Sequence, residues 1–323
     1  MKQLKKLDEF SLEELQQELK LRESTEETLV HANKTYNNDL QDYSTSDIYE
    51  AVREKQSVIY GTDDRKDIFK IVDEKILKDA ESVVALFSDT DIIDNGDGTS
   101  TIQTQNFGEA KNLCSSEPFQ DQPIGAFCTG FLVAPNIIAT AGHCVHNNDL
   151  ATIRFVFGFR MKDESNAETH IKNTEIYKGI KLIGRKQEEA GGDWALVQLD
   201  RAVENHPPVQ IRRKDKMDDD QDLHVIGHPV GLPIKYAGGA KVRKNNKSAF
   251  FVADLDTYGG NSGSPVFNSN THVVEGILVR GEDDFKEVNG CLISNVCNDD
   301  THCRGEDCTR TTEIASHIPE DII

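Results

Sequence analysis

From Val58 onward the chain repeats one pattern: short apolar or alternating runs, each about a strand long, broken by turn residues. Ser82–Phe87, Phe127–Ala134, Asn136–Ala141, Ala151–Phe159, Asp193–Asp200, His224–Pro229, Ala249–Leu255, Ser264–Asn268 and His272–Gly281 all carry it. Many short strands of this kind call for an all-β barrel or sandwich. Asp91–Gln103, reading DIIDNGDGTSTIQ, predicts a hairpin turning at Asn95-Gly96 or Asp97-Gly98. Its acidic residues lack the ligand spacing and closing glutamate of an EF-hand loop.

Residues 1–57 have a different texture. Ser11 and Glu14 have the form of a capping box, and Leu12, Leu15 and Leu19 fall on one helical face. A second helix is expected from Ser46 to Gln56, around Ala51 and Val52, with a polar loop between the two. The segment has too few large apolar residues for a core of its own, so it reads as a helical appendage: a pro-segment or a docking arm.

Acidic residues outnumber basic ones by 56 to 36, a formal charge of -20, which repels phosphate backbones and disfavours a nucleic-acid partner. No apolar run approaches the ~20 residues that a membrane-spanning helix requires. Met1–Lys20 carries lysines without an apolar stretch behind them, so no secretory signal peptide is visible. The seven cysteines point the other way. Four of them, Cys291, Cys297, Cys303 and Cys308, crowd the C-terminal part without the C-x-x-C pairs of zinc sites, although His302 lies among them. Disulfides are the expected use, implying a secreted or periplasmic protein, with the cytoplasm as the alternative. Seven is odd, so at least one cysteine stays free or pairs between chains, and Cys114 is a candidate.

Three local patterns carry chemistry. Gly260-Asn261-Ser262-Gly263-Ser264-Pro265 surrounds a serine with residues that permit a tight turn, as a nucleophile presented beside oxyanion-binding amides requires. Ala139-Thr140-Ala141-Gly142-His143-Cys144 places a histidine directly after an apolar strand, where its ring can be held rigidly as a general base. Gly191-Gly192-Asp193-Trp194-Ala195-Leu196-Val197 opens a strand with a carboxylate able to fix the tautomer of that histidine. Each has an ordinary reading alone: a Gly/Ser turn, a structural histidine, a strand-capping aspartate.

Together, in the order His, Asp, Ser, they resemble the trypsin/chymotrypsin superfamily of serine peptidases. T-A-G-H-C, D-W-A-L-V and G-N-S-G-S-P match its three motifs, and the likeness extends from about Val58 to the C-terminus. The resemblance implies two six-stranded antiparallel β-barrels, the first within 58–204 and carrying His143 and Asp193. The second, within 205–323, would carry Ser262, the Cys-rich region and a short C-terminal helix. It further implies a His143–Asp193–Ser262 triad, an oxyanion hole from the amides of Gly260 and Ser262, and a Cys128–Cys144 disulfide closing the histidine loop. No cofactor or metal is called for, and the partners are protein or peptide substrates.

Finer features resemble the glutamyl-endopeptidase-like branch. Ser57–Arg65 is similar to the start of its mature enzymes, and Val225-Ile226-Gly227-His228-Pro229 to its Gly-aromatic-Pro strand. Residues 1–57 would then be an inhibitory pro-segment. Asn261 replaces the aspartate that pairs with the new N-terminus in vertebrate digestive enzymes, so that activation is not expected. Thr257 matches a threonine of the glutamate pocket, whereas Leu278 stands in place of its histidine. Asp256, six residues before the nucleophile, would favour a basic substrate side chain; Arg280, beside Gly281 at the pocket rim, an acidic one. If both point inward they pair. Two other readings are a catalytically silent protease-like binding module and an intracellular peptidase regulated by the N-terminal helices.

Overall fold

The computed structural model describes residues 63–146, 148–188, 191–280, 284–297 and 305–320, the strand Ile59–Tyr60, and isolated positions among the first 57 residues. The two helices expected in that first segment lie outside the described residues, apart from those isolated positions. Of the latter, Phe10, Leu15, Leu40 and Ile48 are buried.

The strand-length apolar runs form two closed antiparallel barrels, as expected. Arg65–Asp67 is β1. Strands β2 (Val83–Ser88), β3 (Cys128–Ala134), β4 (Ile137–Thr140), β5 (Ile153–Val156), β6 (Ile176–Gln187) and β7 (Asp193–Leu199) build the first barrel. Their order around it is β5-β6-β7-β4-β3-β2, closed by β2 on β5. Strands β8 (Asp222–Gly227), β9 (Lys235–Lys244), β10 (Phe250–Ala253), β11 (Pro265–Asn268), β12 (Val274–Arg280) and β13 (Glu306–Arg310) build the second. Their order is β8-β11-β12-β13-β10-β9, and β8 pairs with β9 to close the ring. The predicted hairpin forms between Ile92–Asp94 and Thr99–Ile102, with positive φ at Gly96 and Gly98.

Closure leaves these sheets no long edge strand, and it explains the continuous burial of β3, which has solvent on neither face. The largest apolar cluster runs from Phe131, Ile138, Leu196 and Val197 of the first barrel to Ile226, Phe267, Ile277 and Val279 of the second, so the barrels share core. The interior of the second holds its own cluster, including Leu223, Phe251, Val266 and Leu278.

β1 lies within 58–204 in sequence but pairs with β9 of the second barrel, Asp67 opposite Lys235. Both side chains are buried, and Lys235 Nζ lies 2.7 Å from Asp67 Oδ1 while donating to Gln122 Oε1 and the Pro233 carbonyl. Helix α1 (Glu74–Glu81) follows, its first turn capped by the Asp73 carboxylate accepting the Lys75 N–H. The expected short C-terminal helix takes the form of two successive 3-10 turns, Thr311–Glu313 and Ala315–His317.

Cys128 and Cys144 are joined, as the resemblance implied. Cys114, expected as a candidate for the unpaired thiol, is instead bonded to Cys291. The physical reason is a local docking: Leu113 bridges Leu292, and the Cys114 N–H donates to the Leu292 carbonyl, which brings the two sulfurs together. Among the described residues the free thiol is Cys308, buried in β13, where burial pushes its pKa well up. No described helix is long and apolar enough to cross a membrane.

Candidate active site

β4 ends at Thr140, and the chain turns through the 3-10 segment Gly142–Cys144, which sets His143 at the top of the first barrel. Neighbouring β7 begins at Asp193, in register such that Ala195 faces Thr140. His143 and Asp193 therefore meet although fifty positions separate them. The ring Nδ1 lies 2.7 Å from Asp193 Oδ2, and the His143 backbone N–H donates to Oδ1 at 3.2 Å. The carboxylate is held in turn by its own backbone: the Asp193 N–H donates 2.9 Å to Thr309 Oγ1 on β13 of the other barrel. Arg185 braces the histidine turn from below, Nε–H donating 2.7 Å to the Gly142 carbonyl. Both His143 and Asp193 are nearly buried, so their hydrogen bond meets little competition from water.

The Ser262 turn comes from the second barrel and docks on the first. Thr129 of β3 is the hub. Its N–H donates 2.9 Å to the Ser262 carbonyl, and its hydroxyl donates 2.9 Å to the Gly260 carbonyl while accepting the His228 N–H. The Thr129 carbonyl accepts the Thr140 hydroxyl, tying the hub back to the strand that leads into the His143 turn. Gly263 is pressed so close that a Cβ there would lie 2.0 Å from the Thr129 carbonyl oxygen and 3.0 Å from the Ala141 nitrogen. Cys144 Sγ lies 3.6 Å from the Ser262 carbonyl oxygen, which sets the Ser262 backbone beside the histidine turn.

Gly260 has φ +83°, a left-handed conformation that a Cβ would oppose, and that Cβ would also strike the His228 carbonyl at 2.8 Å. Among the described residues, the N–H groups of Gly260 and Ser262 donate to no protein acceptor, whereas those of Gly259, Asn261, Gly263 and Ser264 all do. A loop in which two amides are left out of an otherwise satisfied network is a ready anion site.

Around the expected specificity residues the geometry is partial. Asp256 and Thr257 are buried just before the Ser262 turn. Asp256 Oδ2 accepts the Asp64 N–H at 2.8 Å, and the Thr257 hydroxyl has no hydrogen-bond partner among the described residues. Gly281 and the Arg280 side chain lie outside the described residues, so a pairing of Asp256 with Arg280 lies there too; the Arg280 backbone sits opposite Asp307 in the β12–β13 ladder. Leu278, standing where the branch has a histidine, packs inside the second barrel. Arg65, which sequence reasoning passed over, pairs with Asp63 and stacks 3.9 Å from the ring centroid of Tyr258. Burial alone would lower its pKa; the field of Tyr258 and the hydrogen bond to Asp63 more than offset that and raise it.

Thr129, Thr309 and Arg185 were also missed. Their one sequence signal was a polar residue inside an apolar or alternating strand, a pattern shared by many residues with no such role. Cys128 and Cys144 approach the His143 ring closely enough for a metal cluster, but their sulfurs form a disulfide and offer no thiolate.

Residues 128–277 match the family model of the trypsin-like peptidase domain. Exfoliative toxin A of Staphylococcus aureus is 27% identical over 154 residues, covering 45% of this chain and 54% of that protein. Glutamyl endopeptidase of Staphylococcus epidermidis is 26% identical over 163 residues, covering 44% and 54%. The chain thus spans about half the length of the curated relatives it matches. Among solved structures, a Glu endopeptidase in complex with MPD superposes with a TM-score of 0.45 at 18% identity, over 80% of this chain and 96% of that one. The Vibrio cholerae VesB protease does so at 0.43 and 14%, over 73% and 62%.

Proposed function

We propose that this chain is a trypsin-like serine endopeptidase acting through Ser262, His143 and Asp193, a reading supported by the match of residues 128–277 to the trypsin-like peptidase domain. The observation that carries the reading is the close His143–Asp193 pair with the Ser262 turn docked against it through Thr129.

In this mechanism the Ser262 hydroxyl attacks the scissile carbonyl and His143 Nε2 takes its proton. Asp193 holds Nδ1–H and stabilises the imidazolium. The amides of Gly260 and Ser262 stabilise the oxyanion, each such donor commonly supplying roughly 10²–10³ in rate. Collapse of the tetrahedral intermediate passes the proton to the departing amine and leaves the acyl group on Ser262. Water, deprotonated by the same imidazole, then releases the acid and restores the hydroxyl. The two disulfides favour an oxidising location outside the cytoplasm, and the buried Phe10, Leu15, Leu40 and Ile48 favour an N-terminal segment that is packed rather than free in solvent.

Ser262→Ala is expected to lower kcat on casein or peptides by about 10⁶-fold while the circular dichroism spectrum is unchanged. A fluorophosphonate probe should label the parent stoichiometrically at Ser262. Turnover by Ser262→Ala at the parent rate would mean that Ser262 is not the nucleophile, and a folded parent that neither turns over substrate nor takes the label would leave a silent protease-like module as the answer.

A further inference from the structure

Away from the catalytic elements, three side chains from distant parts of the chain converge at the seam between α1 and the second barrel. Asp79 lies near the C-terminal end of α1, His224 on β8, and His272 in the loop between β11 and β12. One ligand atom from each lies within 4.8 Å of the others. His224 Nε2 is 3.4 Å from Asp79 Oδ2, and His272 Nδ1 is 2.5 Å from the same oxygen.

We propose that Asp79, His224 and His272 form a binding site for a divalent transition metal of the zinc class. The most telling observation is His224. It is 1% exposed, and its Nε2 has no hydrogen-bond partner among the described residues, an arrangement that costs free energy unless a ligand satisfies the atom. Its other nitrogen, Nδ1, lies 3.1 Å from Ser269 Oγ. With the proton on Nδ1, donated to that hydroxyl, Nε2 presents its lone pair, which is how metal-ligating histidines are oriented. The ring is fixed further by stacking on Phe267, its cross-strand neighbour, at 5.0 Å and 8°.

Two imidazoles and one carboxylate are a borderline-soft set suited to Zn²⁺, whose ~2.0–2.1 Å bonds put tetrahedral donors about 3.3 Å apart. The His224–Asp79 separation already has that value. His272 and Asp79 share a hydrogen bond, which coordination would open by about 0.8 Å. On binding, His272 would ligate through Nδ1. The His272 side chain is 19% exposed, so solvent can reach the site and supply a fourth ligand. His272 also has φ +59°, an uncommon conformation for a side-chain-bearing residue, and it is held there at the mouth of the cluster. Coordination would clamp α1, which leads into the first strand of the first barrel, onto the second barrel.

The test is calorimetric titration of the full chain, stripped with chelator, with Zn²⁺. One equivalent should bind with a Kd of micromolar or tighter, and a hundredfold excess over Kd should raise the melting temperature by about 4 °C. His272→Asn keeps a residue tolerant of the left-handed conformation and should weaken binding at least tenfold without lowering the metal-free melting temperature. His224→Gln should do likewise for binding. His143→Ala should leave the high-affinity equivalent intact, which separates this site from the triad histidine. Co²⁺ in place of Zn²⁺ should show tetrahedral visible bands that His272→Asn lacks. A parent that takes up no Zn²⁺ at about 1 mM, or variants that bind it as tightly as the parent, would overturn the proposal.

Discussion

At the scale of single residues, the proposed site depends on side chains that their neighbours hold in place. Asp193 spends both oxygens on His143, one on the ring and one on the backbone N–H. Asp193→Asn preserves this shape but can donate to Nδ1, which traps the wrong tautomer and leaves Nε2 unable to accept the serine proton. Steady-state kinetics should show kcat falling about 10⁴-fold, with the melting temperature close to that of the parent. The proposed triad of His143, Asp193 and Ser262 could be put forward from the sequence because each residue sits in a short turn or strand start whose residues are consecutive. Thr129 was not legible: nothing within a few positions of it says that its hydroxyl will meet Gly260 and His228, both more than ninety residues away.

At the scale of elements, α1 is fixed to the first barrel by His206, whose Nε2 pairs with Glu175 at 2.8 Å and whose Nδ1 lies 3.2 Å from Glu81 at the end of the helix. Burial alone would lower the imidazole pKa, but the two carboxylates outweigh it and raise the value above 6.5. Glu81 moves the opposite way, below 4.5, chiefly through the same contact with His206. A raised imidazole binds its proton more tightly folded than unfolded, so its contribution is full below pH 6.5 and fades as pH rises through the folded value. The depressed carboxylate contributes fully above pH 4.5 and loses its part as pH falls through its own folded value. Urea midpoints of the parent and of His206→Gln should therefore differ most between about pH 4.5 and 6.5 and converge toward pH 9. A gap that widens toward alkaline pH would contradict this. The elements that built the barrels were readable from alternation and turn residues, and so was the Ile92–Ile102 hairpin. The membership of β1 in the second barrel was not. Arg65–Asp67 is three residues long and has no period to read; its place is set by the buried contact between Asp67 and Lys235.

For the whole molecule, the two disulfides close loops of very different size. Cys128–Cys144 spans 16 positions and Cys114–Cys291 spans 177. Chain entropy puts their contributions at about 3 and about 5 kcal/mol, so replacing Cys114 and Cys291 by serine should lower the melting temperature more than replacing Cys128 and Cys144. Thermal unfolding of the two double variants checks the order; the reverse order would mean that the segment around Cys291 is loosely tied to the core. By itself, the sequence determined the strand-rich class, the three catalytic-type motifs and their order, because alternation and turn chemistry are carried by a few consecutive residues. Tertiary structure decided which cysteines pair, how β1 crosses between barrels and that Asp79 meets His224 and His272. Those contacts join residues far apart in the chain, and only the summed packing of a shared core brings such residues within bonding distance.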